Sequence, residues 1–434
     1  MNRILIAFIV LLLPWQLARG QALEIDIVGG TAAALPITIV PFPYQGAGAP
    51  PETDVSAVVS ADLDRSGQFR ALPEADIIER PVRAPEVNFA TWRVLRQDFL
   101  VIGRIVDSAD GGYRTEFELF DVARQERLLG QALSGRPASM RDVAHQISDA
   151  IYEKILGIRG AFWTRIAYVT AQGLGGEIEY RLMVADADGW NPQTVVRSRE
   201  PLLSPAWSPD GRRLAYVSFE RGNSSIYVQD IATGQREVFA SFKGINGAPS
   251  FSPDGSRLAL TLSRSGNPEI YVMDLGSKAL TQITRHWGID TEPVWTADGS
   301  LLFTSDRSGK PQIYRVPAAG GEAARVSFEG EYNARATVCC EGKKIAVAQG
   351  SGNVYRIALL DQSLGGRGQW LTLSPGNLDE SPSFAPNGSM VLYASREGRR
   401  GVLYAVSADA RVRQRLVLAD GDVREPAWSP FRNR

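Results

Sequence analysis

The chain of 434 residues contains very little cysteine and histidine, with two of each. The cysteines, Cys339 and Cys340, are adjacent, so the chain has no set of spaced pairs that would staple a small disulfide-rich fold. The histidines, His145 and His286, do not stand in a metal-ligand spacing. His145 falls beside the apolar face of a predicted helix, which favours a helix-surface role over catalysis. The sequence therefore predicts no metal site and no catalytic histidine.

The chain also lacks an excess of charge, because 47 basic residues face 48 acidic ones and leave a formal net charge of −1. No cluster of lysine and arginine interleaved with aromatics occurs, so nucleic acid is not a predicted partner. The serine-hydrolase elbow, the Walker loop and the dinucleotide-binding loop are missing too. We predict no catalytic residues and no cofactor. A propeller enzyme with a carboxylate pair, or a sugar-binding protein, acting on envelope polysaccharide stays open as the alternative.

Long hydrophobic runs are missing, with one short exception at residues 4–13. A run of ten residues is too short to span a bilayer. Arg3 precedes it, and Ala18-Arg19-Gly20 follows as a small-x-small cleavage signal. The pattern predicts a signal peptide over residues 1–20, cleaved after Gly20 or Ala22, and an exported chain without a membrane span.

A repeated unit of seven residues is what the chain has in abundance. Pro205-Ala206-Trp207-Ser208-Pro209-Asp210-Gly211 is the first copy, and further copies of varying fidelity start at residues 249, 293, 336, 382 and 426. The successive spacings are 44, 44, 43, 46 and 44 residues, which is typical of one four-stranded propeller blade per period. Each unit reads as a short strand followed by a turn, because proline presets φ, aspartate bonds its own backbone and glycine takes a positive φ.

The two ends of the array predict how it closes. Two strands precede the first full unit, at residues 166–169 and 180–187. They resemble the second and third strands of a blade, and no inner strand stands before them. The last copy, at residues 426–430, is an inner strand with nothing after it. We predict a six-bladed all-β propeller over residues 159–434, in which the C-terminal strand closes the first blade and leaves no open sheet edge.

A small α/β domain is predicted ahead of the propeller, over residues 36–158. Its predicted strands are residues 37–40, 99–106, 113–120 and 127–133, and its predicted helices are residues 52–63, 88–95 and 139–156. Residues 21–35 form a flexible N-terminal arm in which apolar and acidic residues alternate from Leu23 to Val28, ahead of Gly29-Gly30. The alternation is typical of a strand, and two partners stay open for it. It can be the first strand of the domain or pair with the sheet edge of a partner protein.

The fifth copy of the unit departs from the others. It reads Ala336-Thr337-Val338-Cys339-Cys340-Glu341-Gly342 and has lost both prolines, the aromatic and the serine. In an oxidising compartment the two cysteines could close a vicinal disulfide ring. The alternative, which we prefer on sequence, is two small thiols in a degenerate turn.

The residues just ahead of each inner strand are predicted to ring the mouth of the central channel. They form a polar and largely acidic set that is a usual place for ligands and partners, with simple turn chemistry as the alternative for any single residue. The set is Leu203-Ser204, Asn246-Gly247-Ala248, Asp290-Thr291-Glu292, Asn333-Ala334-Arg335, Asp379-Glu380-Ser381 and Arg424-Glu425.

A signal peptide, a small α/β domain and a propeller with this repeat together resemble the TolB family, periplasmic components of the Tol-Pal system of Gram-negative bacteria. The resemblance covers essentially the whole chain. Its most specific motifs are residues 247–255, 270–275, 291–293, 304–306, 379–382 and 426–431.

The resemblance implies a monomeric, non-enzymatic periplasmic protein that binds the lipoprotein Pal at the propeller mouth and the inner-membrane protein TolA through its N-terminal arm. Such proteins maintain the outer membrane and support its constriction at division. The Cys339-Cys340 turn and the apolar Ile245 depart from the family pattern. The implied Pal-binding residues are Asn246, Ala248, Thr291, Glu292, Asp379 and Glu380, and the implied TolA-binding residues are Leu23, Glu24, Ile25, Asp26 and Ile27, within residues 22–33.

Overall fold

The structure is a computed structural model that describes residues 24–27, 34–173, 177–416, 418 and 421–433. The signal peptide predicted over residues 1–20 lies outside the described residues. No helix in the described ranges is long and apolar enough to cross a membrane.

The first part of the chain forms an α/β domain around one mixed sheet of five strands. The sheet order is β3-β2-β4-β5-β6, in which β2 runs parallel to β3 and β4, and the remaining pairs are antiparallel. The elements of this region are β1 Glu24–Ile27, β2 Leu35–Ile39, α1 Val55–Arg65, β3 Phe69–Ala71, α2 Phe89–Val94, β4 Phe99–Asp107, β5 Tyr113–Asp121, β6 Glu126–Gly135 and α3 Met140–Leu156.

The helix boundaries follow from their caps. Asn88 caps α2 by accepting a hydrogen bond from the Ala90 N–H, as predicted. Helix α1 begins three residues later than predicted, because Asp54 is its N-cap and accepts from the Ala57 N–H at 3.0 Å. Gly157 ends α3 with a φ of 74°. Helices α1 and α3 bury their apolar stripes against one face of the sheet, and Trp92 of α2 packs on the other face.

The rest of the chain forms six blades around a central channel, which confirms the predicted fold class. Each blade has four antiparallel strands. Blade 1 contains β7 Arg165–Gln172, β8 Glu179–Asp186 and β9 Gln193–Ser198; blade 2, β10 Leu202–Trp207, β11 Arg213–Ser218, β12 Ser225–Asp230 and β13 Arg236–Ala240; blade 3, β14 Asn246–Phe251, β15 Arg257–Leu262, β16 Glu269–Asp274 and β17 Leu280–Gln282; blade 4, β18 Asp290–Trp295, β19 Ser300–Ser305, β20 Gln312–Pro317 and β21 Ala324–Arg325; blade 5, β22 Tyr332–Cys339, β23 Lys344–Ser351, β24 Val354–Asp361 and β25 Gln369–Thr372; and blade 6, β26 Glu380–Phe384, β27 Met390–Glu397, β28 Arg400–Ser407 and β29 Val412–Leu416.

The last strand, β30 Asp422–Trp428, closes the ring as predicted. It pairs antiparallel with β7 of blade 1, with Val423 opposite Thr170 and Trp428 opposite Ile166. The indole N–H of Trp428 donates to the Thr164 hydroxyl at 2.8 Å. The C-terminal strand is therefore the innermost strand of the blade that the chain began more than two hundred residues earlier.

The face of α3 that was predicted to be exposed packs instead against the propeller. His145 is 1% exposed, and its Nδ1 lies 2.7 Å from Oδ2 of Asp62 on α1. Asp188, in the loop after β8, faces the same cluster from the propeller and pairs with Arg65 and Arg141. Burial alone would lower the pKa of His145, but the neighbouring Asp62 carboxylate raises it above its usual value. The prediction of a helix-surface histidine is wrong, because the second domain covers it.

Removing residues 425–434 tests ring closure. The truncation removes most of β30, so blade 1 loses its inner strand together with the partly buried Trp428, whose indole alone is worth roughly 3–5 kcal/mol. We expect the thermal midpoint of the propeller to fall by several degrees or the protein not to fold. Trp428→Phe is the control, because it keeps the strand and an aromatic ring at this position and removes the indole hydrogen bond with part of the ring. An unchanged midpoint in the truncated protein would show that the ring closes in another way.

Candidate binding site at the propeller mouth

The inner strand of every blade carries the same irregularity. Each one shifts register once against its neighbour, and the shift contains a residue of positive φ that is not glycine. A bulge of this kind bends the strand and re-aims a side chain. The six residues line one cavity of about 300 Å³ along the axis of the ring. They are Ser204 (φ 50°), Ala248 (47°), Glu292 (55°), Arg335 (53°), Ser381 (57°) and Glu425 (53°).

Arg335 is the hub of this cavity. Its guanidinium meets Glu425 in a two-pronged ion pair, with nitrogen–oxygen distances of 2.6 and 3.1 Å. The same side chain donates to the Ser381 hydroxyl at 2.6 Å, and its Nε lies 3.3 Å from Oε1 of Glu292. One arginine therefore ties together the inner strands of blades 4, 5 and 6 and the closing strand of blade 1.

The two carboxylates are held by backbone as well as by charge. Glu292 accepts from the Arg335 backbone N–H at 3.0 Å and from the Thr304 hydroxyl at 2.9 Å. Glu425 accepts from the Ser204 N–H at 3.1 Å. Burial would raise the pKa of Glu425, but the Arg335 guanidinium holds that pKa below its usual value, and the carboxylates in turn raise the pKa of Arg335. A general acid for sugar cleavage needs a raised pKa, and Glu425 therefore does not have the electrostatics of such an acid.

The structure separates the predicted mouth residues into two groups. Asn246 and Asp379 are fully buried. The Asn246 amide donates to the backbone oxygens of Phe242 and Gly244 and accepts from the Phe242 N–H, and the Asp379 carboxylate accepts from two serine hydroxyls. The expectation that these two side chains face the mouth is corrected: they fix the loops that enter blades 3 and 6, because buried polar groups must be hydrogen-bonded.

The other predicted mouth residues remain accessible to differing degrees. Ala248 and Thr291 are half-buried, Glu292 is 26% exposed at its side chain, and Glu380 is exposed. Ala248 and Glu292 line the cavity itself. These four residues are the part of the prediction that a partner could touch.

An apolar rim borders the polar channel in blades 3, 4 and 6, and of its residues only Ile245 was named from the sequence, as a departure from the family pattern. Ile245, Ile289 and Leu378 are about half exposed, and each directly precedes the buried anchor residue of its blade. Trp287, which lies with Ile289 in the loop that leads into blade 4, is 76% exposed. Exposed apolar side chains grouped at one end of a soluble protein mark interaction surfaces. The equivalent placement of Ile245, Ile289 and Leu378 one residue before the polar triplet was the signal available in the sequence.

The N-terminal arm lies on the propeller and not in the α/β sheet. Strand β1 pairs antiparallel with β29, the outer strand of blade 6, with Glu24 opposite Arg415 and Ile27 opposite Val412. The interpretation of the arm as the first strand of the domain is therefore wrong. Of the arm residues named above, Glu24, Ile25, Asp26 and Ile27 are placed in β1, while Leu23 and residues 28–33 lie outside the described residues.

A group of side chains that could hold a metal lies away from the mouth. In the described ranges the one grouping with ligand atoms close enough is Asp62, His145 and Asp188, at the contact between the domains. Arg65 and Arg141 already supply positive charge to these carboxylates. The cluster is thus better suited to holding the two domains together than to binding a cation.

Comparisons with known proteins agree over the whole chain. Models of the TolB amino-terminal domain and of the TolB beta propeller domain match residues 23–128 and 152–432. The Tol-Pal system proteins TolB of Xanthomonas campestris pv. campestris and Xanthomonas oryzae pv. oryzae are each 71% identical over 432 residues, which is 99% of this chain and 98% of each relative. The crystal structure of TolB from Acinetobacter baumannii is 43% identical, with a TM-score of 0.86 over 94% of this chain and 100% of that one.

Removing the charge of the hub tests its role. Arg335→Gln leaves Glu292 and Glu425 without their cation in a partly buried site, which should lower propeller stability by about 1–3 kcal/mol at pH 7. Because Glu425 has a depressed pKa in the folded protein, its share of this stability is present above the unfolded pKa of about 4.3 and disappears as the pH falls through the lower folded value.

The measurement is denaturant unfolding of both proteins at pH 7 and at pH 3. The difference between the two proteins should shrink at the lower pH. Arg199→Gln, exposed on the β9–β10 connection and outside the channel lining, is the control. A difference between parent and variant that does not change with pH would contradict the assignment of the Arg335–Glu425 pair.

Proposed function

The chain belongs to the TolB family of the Tol-Pal system, and from that membership we propose that it is a periplasmic, non-enzymatic protein that bridges Pal and TolA. In this role it maintains outer-membrane integrity and supports envelope constriction during cell division. The observation that carries the proposal is the composition of the mouth, where an exposed apolar rim borders a channel whose acids are already paired with Arg335.

Pal is proposed to dock on the mouth. The rim supplies apolar area, and Trp287 is its largest exposed side chain. Interfaces concentrate their binding energy in a few such aromatic and aliphatic residues, with polar groups around or beneath them. Within the channel, Glu292 can still accept hydrogen bonds from a partner because a quarter of its side chain is exposed. Ala248, Thr291 and Glu380 complete the proposed contact, and Asn246 and Asp379 support it indirectly by holding the loops.

The alternative of a sugar-cleaving propeller finds less support. Such an enzyme needs one carboxyl group with a raised pKa in its channel. Glu425, one of the two acids lining this channel, has a lowered pKa, and both acids are bonded to one arginine. Binding without catalysis accounts for the same residues more directly.

Replacing the largest rim residue tests the Pal site. Trp287→Ala removes an indole that is 76% exposed, so the fold should be unaffected while Pal affinity falls about 10- to 30-fold. Leu364→Ala is the matched control, because Leu364 is 85% exposed on the β24–β25 connection at the opposite face of the ring. The measurement is calorimetric titration with purified Pal. Undiminished affinity in the Trp287 variant, or an equal loss in both variants, would remove the mouth from consideration.

TolA is proposed to bind the arm by strand addition. A segment that already forms a strand on β29 has the backbone geometry to pair with the edge of another sheet.

Deleting residues 21–33 tests the arm. We expect TolA binding to be lost while Pal binding and the thermal midpoint of the propeller stay close to those of the parent, because β1 adds only four residues to an already complete blade. An arm of the same composition in scrambled order is the control for length and charge. If the deleted protein bound TolA with unchanged affinity, another surface would have to carry that interaction. A large loss of propeller stability would make the arm a structural strand.

A further inference from the structure

In three of the repeats, a side-chain hydrogen bond closes the turn that follows the inner strand. In these turns a hydroxyl donates to the carboxylate two residues later: Ser208 to Asp210, Ser252 to Asp254 and Thr296 to Asp298. The serine hydroxyl also accepts from the first N–H of the next strand, as from Arg213 at 2.9 Å. The hydroxyl and the carboxylate together lock the chain reversal.

The turn of blade 5 has lost this lock. Cys339 occupies the position of the hydroxyl residue, Cys340 that of the proline and Glu341 that of the aspartate. The side chain of Cys339 makes no cap hydrogen bond, and the Glu341 carboxylate pairs with Lys343 at the surface instead of returning to the turn. Cys340 and Glu341 both have left-handed φ values, of 57° and 58°, although neither is glycine. The turn of blade 5 therefore has backbone strain at two positions and lacks the hydrogen bond that closes the turns of blades 2, 3 and 4.

The two sulfur atoms stand where a covalent bond could hold the turn instead. Both cysteines are free thiols in the structure, with Sγ atoms 2.6 Å apart. Cys340 is exposed and Cys339 is half-buried. The chain contains no further cysteine, so each thiol has only its neighbour as an intramolecular partner.

We propose that Cys339 and Cys340 form a reversible vicinal disulfide that closes the fifth-blade turn in place of the hydroxyl–carboxylate bond. The reagent is a disulfide oxidant, either a small molecule or a thiol–disulfide exchange protein. The proposal rests on the proposed function only for the exported, oxidising location that supplies this oxidant.

The chemistry balances as two thiol–disulfide exchanges. The Cys340 thiolate attacks one sulfur of the oxidant, forms a mixed disulfide and releases the oxidant's other sulfur as a thiol. The Cys339 thiolate, after losing its proton to water, attacks the Cys340 sulfur and releases the second thiol. The two cysteines are oxidised to one disulfide, and the oxidant's disulfide is reduced to two thiols.

The two thiols differ in exposure and in pKa, and this difference favours attack by Cys340 before Cys339. The hydrogen bond from the Cys339 thiol lowers the pKa of Cys340 to about 7, with Lys344 contributing, and the same bond raises the pKa of Cys339. The exposed residue is thus the one that is ionised near neutral pH, and it attacks first. Adjacent Cα atoms are about 3.8 Å apart, closer than the roughly 4.4–6.8 Å of ordinary disulfides, so the ring is also readily reopened.

The cysteine pair contacts blade 6, which in turn contacts the segment between the two domains. It packs against Gly388 in the corresponding turn of blade 6, where an added Cβ would lie 2.8 Å from the Cys339 Sγ. Asn387 in that same turn donates to the Arg159 carbonyl at 2.9 Å, in the segment that joins the two domains. Opening or closing the ring therefore alters a surface that contacts the interdomain connection.

Thiol counting on the full mature chain tests the proposal. The protein is made in the cytoplasm without residues 1–20, reduced, and then equilibrated with oxidised glutathione, after which it is quenched in acid, denatured, alkylated and weighed. We expect two alkylated thiols in the reduced sample, no alkylated thiol and no added glutathione mass after oxidation, and two alkylated thiols again after reduction. Cys339→Ser is the control, and its one remaining thiol should be found alkylated or carrying glutathione, never in an internal disulfide.

Two further readouts keep the result decisive. The parent should melt several degrees higher oxidised than reduced, whereas a Cys339→Ser/Cys340→Pro/Glu341→Asp variant, which has the Ser-Pro-Asp turn of blades 2 and 3, should not respond to reductant. Two free thiols after oxidation, or their loss only into disulfide-linked dimers, would overturn the proposal. Protein isolated from the periplasm forms a separate arm: if it carries free thiols while the purified protein oxidises readily, the site stands and the proposed location fails.

Discussion

The pairing of β30 with β7 is the interaction on which the propeller and its mouth both depend. Closing the ring brings Glu425 into the channel, where it meets Arg335, a residue 90 positions earlier, and the Ser204 N–H, 221 positions earlier. Without the closing strand, one of the six channel-lining residues is missing and the arginine loses its closest carboxylate. The same antiparallel ladder that removes an open sheet edge therefore also completes the charge balance of the candidate site.

Local chemistry explains why so much of the fold could be predicted from sequence. A turn of proline, aspartate and glycine can be recognised from a few adjacent residues. The period and the number of blades could therefore be predicted from the spacing of these turns, and ring closure from the unpaired strand at residues 426–430. The predictions that failed concern features that depend on contacts between distant segments. The short strand β3 gives no alternation over three residues. The burial of His145 requires knowing that a second domain covers α3, and that of Asn246 and Asp379 requires knowing which residue of a triplet turns inward.

Blade 5 departs from the repeat at both ends of its inner strand, and the two departures have different effects. At the mouth, Arg335 precedes alanine where the other blades have a residue followed by proline, and its side chain neutralises acids from two other blades. At the opposite face, Cys339-Cys340 replaces the serine and proline of the turn. Blade 5 keeps its place in the ring despite these substitutions, because its two faces still pack against blades 4 and 6.

The two proposed binding sites lie at opposite edges of one sheet. Blade 6 runs from β1 through β29, β28 and β27 to β26, so the arm forms its outer edge and Glu380 and Ser381 of the mouth form its inner edge. A partner that takes the arm away from β29 leaves that strand as the outer edge of the blade, and a partner at the mouth contacts the same blade from the channel side. If either partner prefers one state of the arm, the other must sense it, because coupling between two sites is reciprocal in free energy. Typical couplings of about 1–3 kcal/mol would change affinity by roughly 5- to 150-fold, and the four strands from β29 to β26 are the part of the structure that such a coupling would have to cross.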